Sequence, residues 1–303
     1  LSDNHKLQAR HNYTGAFQDR NVRRSNVAFS LTSQWNEFIS RNHSSVVQLN
    51  SAFNNVFGTE SAAYNEFRLS YTNTQDRRSL QTQRFPEVRI YTGSDNSVYL
   101  GPETNSQANA LSQQQWALTN DFTVIVGNHS LTLGAHAEMT SFNNLFIPDY
   151  YGYLEVSSVD AFIAGTPSYY SIRYPNVDVV GEKQLPRAQW SLLQSGFYLR
   201  DEWKAVEGLK FDFGLRMDAP FFLDSPYDNP AFAVAFPAYS TSKTPSGNLL
   251  FSPRAGFNAD LSGGDKILIM RGGTGLFSGR APGVWLSNQY SNTGMDILRS
   301  ELE

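Results

Sequence analysis

Residues 209–219 read Leu-Lys-Phe-Asp-Phe-Gly-Leu-Arg-Met-Asp-Ala, with Leu209, Phe211, Phe213, Leu215 and Met217 on one parity and Lys210, Asp212, Arg216 and Asp218 on the other. A period of two is that of a β-strand, whose successive side chains point to opposite faces of the sheet. This run is about twice the usual strand length in a soluble domain and matches the roughly 9 to 11 tilted residues that cross a bilayer. The segment is therefore read as a transmembrane strand.

Composition agrees with strands and disagrees with helices. The chain has 303 residues, 14% aromatic and 17% charged, and a formal charge of −4. Its mean hydropathy is −0.40. No apolar run approaches the ~18 residues of a spanning helix. A membrane protein of this composition has to be a barrel, whose strands alternate between lipid and a polar lumen. The absence of basic excess gives no reason to expect nucleic acid as a partner. Cysteine is absent, which excludes disulfides, thiol nucleophiles and thiolate metal sites. Residues 1–6 carry no signal-peptide pattern, so the chain is read as processed or as a piece of something longer.

The alternation recurs. Leu131, Leu133, Ala135, Ala137 and Met139 alternate with polar or small residues between His129 and Phe142. The partner strand is Gln115 to Val126, with Gly127 and Asn128 as the turn. The next pair is Trp190 to Val206 and Leu209 to Ala219, joined at Glu207 and Gly208. Asp201 interrupts the apolar face of that pair, and a carboxylate facing lipid is tolerated near the interface, so Asp201 and Trp203 are placed at the rim. A third pair runs from Leu249 to Leu261 and from Lys266 to Phe277 around Ser262, Gly263, Gly264 and Asp265. Ser44 to Asn54, Asn65 to Thr74 and Lys6 to Thr14 bring the count to nine strands. Residues 26–34 are read either as a tenth strand or as a strand extension beyond the membrane.

Connections alternate between very short ones and long ones near 15–43, 75–114, 143–189, 220–248 and 278–303. One trimmed end and one elaborated end is the pattern of outer-membrane barrels. The fold expected is an all-β, antiparallel transmembrane barrel, and residues 1–303 form nine to ten strands of it. A soluble sandwich also alternates, but its strands are shorter and lack this loop asymmetry.

Certain segments carry a family likeness. Phe251-Ser-Pro-Arg-Ala-Gly-Phe257 followed by Arg271-Gly-Gly-Thr-Gly-Leu-Phe277 resembles the barrel strands of TonB-dependent outer-membrane receptors, most closely the Oar-like branch with a carboxypeptidase-regulatory-like domain. Phe197-Tyr-Leu-Arg-Asp-Glu-Trp203 with Leu209 to Asp218 resembles the recurring strand, turn and strand unit of that family. His5-Lys-Leu7 with Tyr13, Asn65 to Tyr71, and Ser157 to Tyr170 fit the same branch. The resemblance implies one arc of a 22-stranded, plugged barrel. It also implies import of a siderophore, oligosaccharide or peptide with energy transmitted by TonB. The partners implied are outer-membrane lipid, a plug domain, the TonB complex and the nutrient. Neither a plug nor a TonB box is recognisable in the chain.

Candidate ligand contacts lie in the aromatic stretch 142–174: Tyr150, Tyr151, Tyr153, Tyr169, Tyr170 and Tyr174. Tyrosine offers a flat apolar face with a polar tip, suited to sugars, peptides or chelates. The same residues would equally pack the loop on itself or join an aromatic girdle. Arg200, Glu202, Lys204, Lys210, Asp212, Arg216 and Asp218 fall on the lumen-lining parity, where opposite charges on adjacent strands pair. No catalytic residue, metal site or cofactor is expected. Gly272 to Gly275 lacks the Lys and helix of a phosphate loop, and the five histidines are scattered. An adhesin or protein-export barrel, and a secreted carbohydrate-binding β protein, are the alternatives.

Overall fold

The computed structural model describes residues 3–20, 25–56, 61–93, 95–263 and 267–302. Leu1, and the turn and strand-start positions Gly264, Asp265 and Lys266, lie outside the described residues. The expected nine strands form one sheet in chain order, a wall built from β1 (His5–Arg20), β3 (Asn36–Asn54), β4 (Ala62–Leu80), β7 (Asn109–Val126), β8 (His129–Phe146), β11 (Ala188–Val206), β12 (Leu209–Phe222), β13 (Leu250–Asp260) and β14 (Ile269–Gly275). Every neighbouring pair in it is antiparallel. Gly127 and Gly208 take positive φ, +56° and +77°, which lets the chain reverse within two residues at the trimmed end. The sheet does not close: β1 and β14 are its two edges.

One face of this wall carries the apolar rows. Leu133 is 60% exposed, Phe197 57% and Leu215 51%, so these rows are not sealed in a water-excluding core. The register sets Tyr71, Trp116, Met139, Leu193 and Phe221 side by side at the upper limit of the band. Val126, His129, Trp203, Phe211 and Phe257 form the corresponding row at the lower limit. Leu193 and Trp203 are ten residues apart on β11, the reach needed to cross the hydrocarbon. Aromatic rings mark both limits: Tyr71 meets Trp116 at 4.5 Å, and Trp203 stacks on His129 and Phe211 at 5.7 Å each. These are the two girdles of an outer-membrane barrel. Asp201 sits in the lower girdle, as its sequence context predicts, and His129 Nδ1 lies 2.8 Å from its carboxylate. Among the described residues no helix is long and apolar enough to cross a membrane.

The strands outlast the expected boundaries. The intervals between wall strands on the elaborated side are 21–35, 81–108, 147–187 and 223–249, shorter than the sequence implies. Above the upper girdle the outward row turns polar, as at His43 and Arg41, Asn73 and Gln75, Gln114 and Ser112, or Ser141 and Asn143. Alternation vanishes there although the ladder continues, because both faces meet water.

The long connections are not structureless. They build a second sheet, in the order β15, β10, β9, β5, β6, β2, from β2 (Ala28–Ser30), β5 (Glu87–Tyr91), β6 (Ser97–Leu100), β9 (Tyr153–Val156), β10 (Tyr169–Pro175) and β15 (Ile297–Leu302). Residues 26–34 are neither a tenth wall strand nor an extension of one. Ala28–Ser30 runs parallel to β6, and Thr32–Gln34 is a single 3-10 turn. The region expected as a C-terminal loop holds a helix, Gly283–Ser291, and β15. This cap encloses one small core, Val88 with Ile90 and Val156, and a second, Ala108 with Leu145 and Ile147, forms where the outer ends of β7 and β8 meet the cap.

Candidate functional site

The inner face of the wall is polar, and several of its charges are paired across β11 and β12. Arg200 bonds Asp212 across β11 and β12, Lys210 Nζ donates to Glu202 at 3.3 Å, and Arg216 Nη2 donates to Asp218 at 2.7 Å. Lys204 and Lys210 face one another at the trimmed end. All seven predicted lumen-parity residues share this face, which follows from the β11–β12 register. Tyr198 crosses it to donate to Asp121 and covers Gly134, where an added Cβ would collide with the ring. A glycine on β8 is thus what lets the ring lie flat on the wall.

At the outer end of this face lies a cleft of about 360 Å³. Its floor is β7, β8, β11 and β12, and its roof is the segment that follows β14. Phe142 and Trp190 are opposite each other in the β8–β11 register and stack at 4.2 Å. Trp190 Nε1 donates to Ser287 Oγ at 3.1 Å, and its ring meets Tyr290 at 5.8 Å, so the helix Gly283–Ser291 is fixed onto the wall. Tyr290 donates to the Asp224 carbonyl at 2.7 Å; burial, and then the Asp224 carboxylate, push its hydroxyl up to about 12.

The polar end of the cleft is organised by Glu138, which is 4% exposed. Its carboxylate accepts from Gln115 Nε2 at 2.9 Å, from Thr140 Oγ1 at 3.2 Å, and from Arg280. A buried carboxylate held by three donors including a guanidinium is satisfied and positioned. The cleft thus presents aromatic surface, glutamine amides and a fixed ion pair to whatever enters. That is a binding surface of mixed apolar and hydrogen-bonding character.

The six predicted tyrosines lie elsewhere, in and around the cap sheet, and none lines this cleft. Tyr150 packs on the Ala108, Leu145 and Ile147 core. Gln107 Oε1 accepts from the Tyr151 backbone N–H at 2.6 Å. Tyr153 donates to Glu155 at 2.6 Å and meets the Tyr169 ring at 6.1 Å. Burial and the Glu155 bond raise the Tyr153 hydroxyl well above its ordinary value. Tyr169 donates to Glu301 at 3.1 Å, Tyr170 pairs with Leu302, and Tyr174 is 40% exposed. The cleft residues had weak sequence signals. Glu138 was simply one polar member of an alternating strand, and Arg280, 142 residues away, follows no pattern that points to it.

The family described as an outer membrane beta barrel domain matches residues 2–300. Among solved structures the chain is similar to the crystal structure of the outer membrane transporter YddB from Escherichia coli, with 12% identity and a TM-score of 0.47. That likeness covers 86% of this chain and 28% of the other. No curated protein matches the chain. The family match extends over almost the whole wall and cap, and the chain belongs to the outer membrane beta barrel domain family, a protein of the bacterial outer membrane.

Proposed function

We propose that this wall and cap form part of a TonB-dependent receptor of the Oar-like branch. It captures a nutrient, a siderophore, oligosaccharide or peptide, at the outer face and imports it with energy transmitted by TonB. The observation that carries the reading is the cleft beneath the cap, where Phe142, Trp190, Gln115 and the Glu138–Arg280 pair line the outer mouth of a polar lumen. The wall edges β1 and β14 require further strands, because unpaired backbone groups are not tolerated in lipid; a 22-stranded barrel with a plug domain supplies them. The chain acts as a receptor and not an enzyme, and holds no cofactor.

Uptake of radiolabelled ferric siderophores, oligosaccharides and peptides by cells carrying the complete receptor tests this. Import of one ligand class is expected to vanish on deleting either the receptor or TonB, while surface binding survives loss of TonB. Import that persists without TonB would overturn the energy-coupled reading in favour of an export barrel or a passive channel. Attachment to surfaces without any import would point to an adhesin.

A further inference from the structure

The outward face of β3 and β4 holds a feature that neither the lumen nor the cap uses. Two rows of side chains lie directly above the Tyr71–Trp116 girdle: Tyr13, His43, Asn73, Gln114, Ser141 and Ser191, then Gly15, Arg41, Gln75, Ser112, Asn143 and Gln189. Neither row contains an Asp or Glu. Arg77, one row higher and diagonal to Arg41, adds a second guanidinium, and acids return only with Glu37 and Asp19 above it. Arg41, His43, Gln75 and Arg77 are exposed. Among the described residues neither Arg41 nor Arg77 forms an ion pair. On the inner face Arg200 and Arg216 are each paired to a carboxylate, whereas Arg41 and Arg77 have none beside them among the described residues. The His43 ring is held between Tyr13 at 4.8 Å and His11 at 5.6 Å.

Height decides what meets these groups. Two residues of strand rise roughly 6.7 Å, and tilt reduces this to about 5 Å, so the two rows span the headgroup layer above the hydrocarbon. This is the elaborated end of the barrel, which faces outward, so the layer belongs to the outer leaflet. A donor-rich, acid-free belt with guanidinium groups matches phosphate oxygens, which arginine binds bidentately. We infer that Arg41 and Arg77, with His43, Asn73 and Gln75 between them, bind the phosphate of a glycolipid headgroup in the outer leaflet. The lipid's chains lie along Val47, Leu69 and the Tyr71–Trp116 pair below. The inference is independent of the transport reading, because these residues face away from the lumen.

The complete protein, purified with its bound lipid and exchanged into detergent, tests it by native mass spectrometry with added bisphosphorylated lipid A, dephosphorylated lipid A of the same acyl chains, and inorganic phosphate. Wild type is expected to retain bisphosphorylated lipid A in preference to the dephosphorylated form. The double variant Arg41→Gln, Arg77→Gln should lose at least about tenfold of that retention, the effect of removing two charge-assisted contacts. Arg41→Lys, Arg77→Lys, which keeps the charge, should recover part of it. Lys204→Gln on the inner face should leave it unchanged, and heat-modifiable migration should confirm that every variant folds. Equal retention of the two lipids, undiminished retention by the glutamine variant, or release of the lipid by millimolar inorganic phosphate would overturn the inference.

Discussion

The wall and the cap are sheets from one chain that keep their apolar side chains in opposite places. In the wall Phe197, Leu199 and Leu215 point outward and are more than half exposed, whereas in the cap Val88 and Val156 are at 2% and 4%, and Ile147, where the cap meets β8, is at 0%. The wall is held by its ladder, by charge pairs on its inner face and by the lipid that covers its outer rows. The cap is held by the burial that holds soluble domains. The same residue types thus serve two solvents, and substitutions should separate them.

Ile147→Ala is expected to have the largest effect, about 2–5 kcal/mol, because it empties a closed core. It should appear as faster protease cleavage of the cap while the wall still shows heat-modifiable migration. If the wall is lost with the cap, the two regions are one cooperative unit. Leu215→Arg comes next, at about 2–4 kcal/mol, the cost of a cation near the bilayer midplane. Denaturation in lipid vesicles measures it, and the cost should grow in thicker bilayers, a dependence that Ile147→Ala should not share.

Asp296, in the approach to β15, is 2% exposed, and burial raises its carboxyl above the ordinary value. The charged form is therefore penalised in the folded cap. Cap stability should be highest below the unfolded carboxyl value and fall as pH rises from there to the raised folded value. Asp296→Asn should remove that slope and stabilise the cap by about 1 kcal/mol at neutral pH. Hydrogen exchange of β10 and β15 against pH reads it; a slope that survives the substitution assigns it to another group. Glu202→Gln should have the smallest effect, under about 1 kcal/mol, since its partner Lys210 is half exposed. A loss of several times that amount would mean the inner face is drier than its exposure indicates.

How much of this was legible beforehand follows from the same contrast. Wall strands such as β11 and β12 announce themselves because lipid on one side and water on the other force a period of two over ten or more residues. Their upper ends did not, since Asn73, Gln75 and Arg77 face headgroups and water and the pattern dissolves. The cap strands are three to seven residues long and pair across distant connections, as Tyr170 does with Leu302, so no local period reveals them. The tyrosines drew attention by number, yet several of them support that hidden sheet. The cleft residues Glu138 and Arg280 meet only through the fold.

The most direct measurement uses the absence of native cysteine. Single cysteines at each position from 209 to 218 of the complete protein, spin-labelled in membranes, report contact with oxygen, which concentrates in hydrocarbon, and with a polar nickel chelate, which does not. Leu209, Phe211, Phe213, Leu215 and Met217 should favour oxygen, and Lys210, Asp212, Arg216 and Asp218 should favour the chelate or be shielded from both, in strict alternation. Shielding of the Leu and Phe positions from both reagents would place them in a closed core and contradict the account.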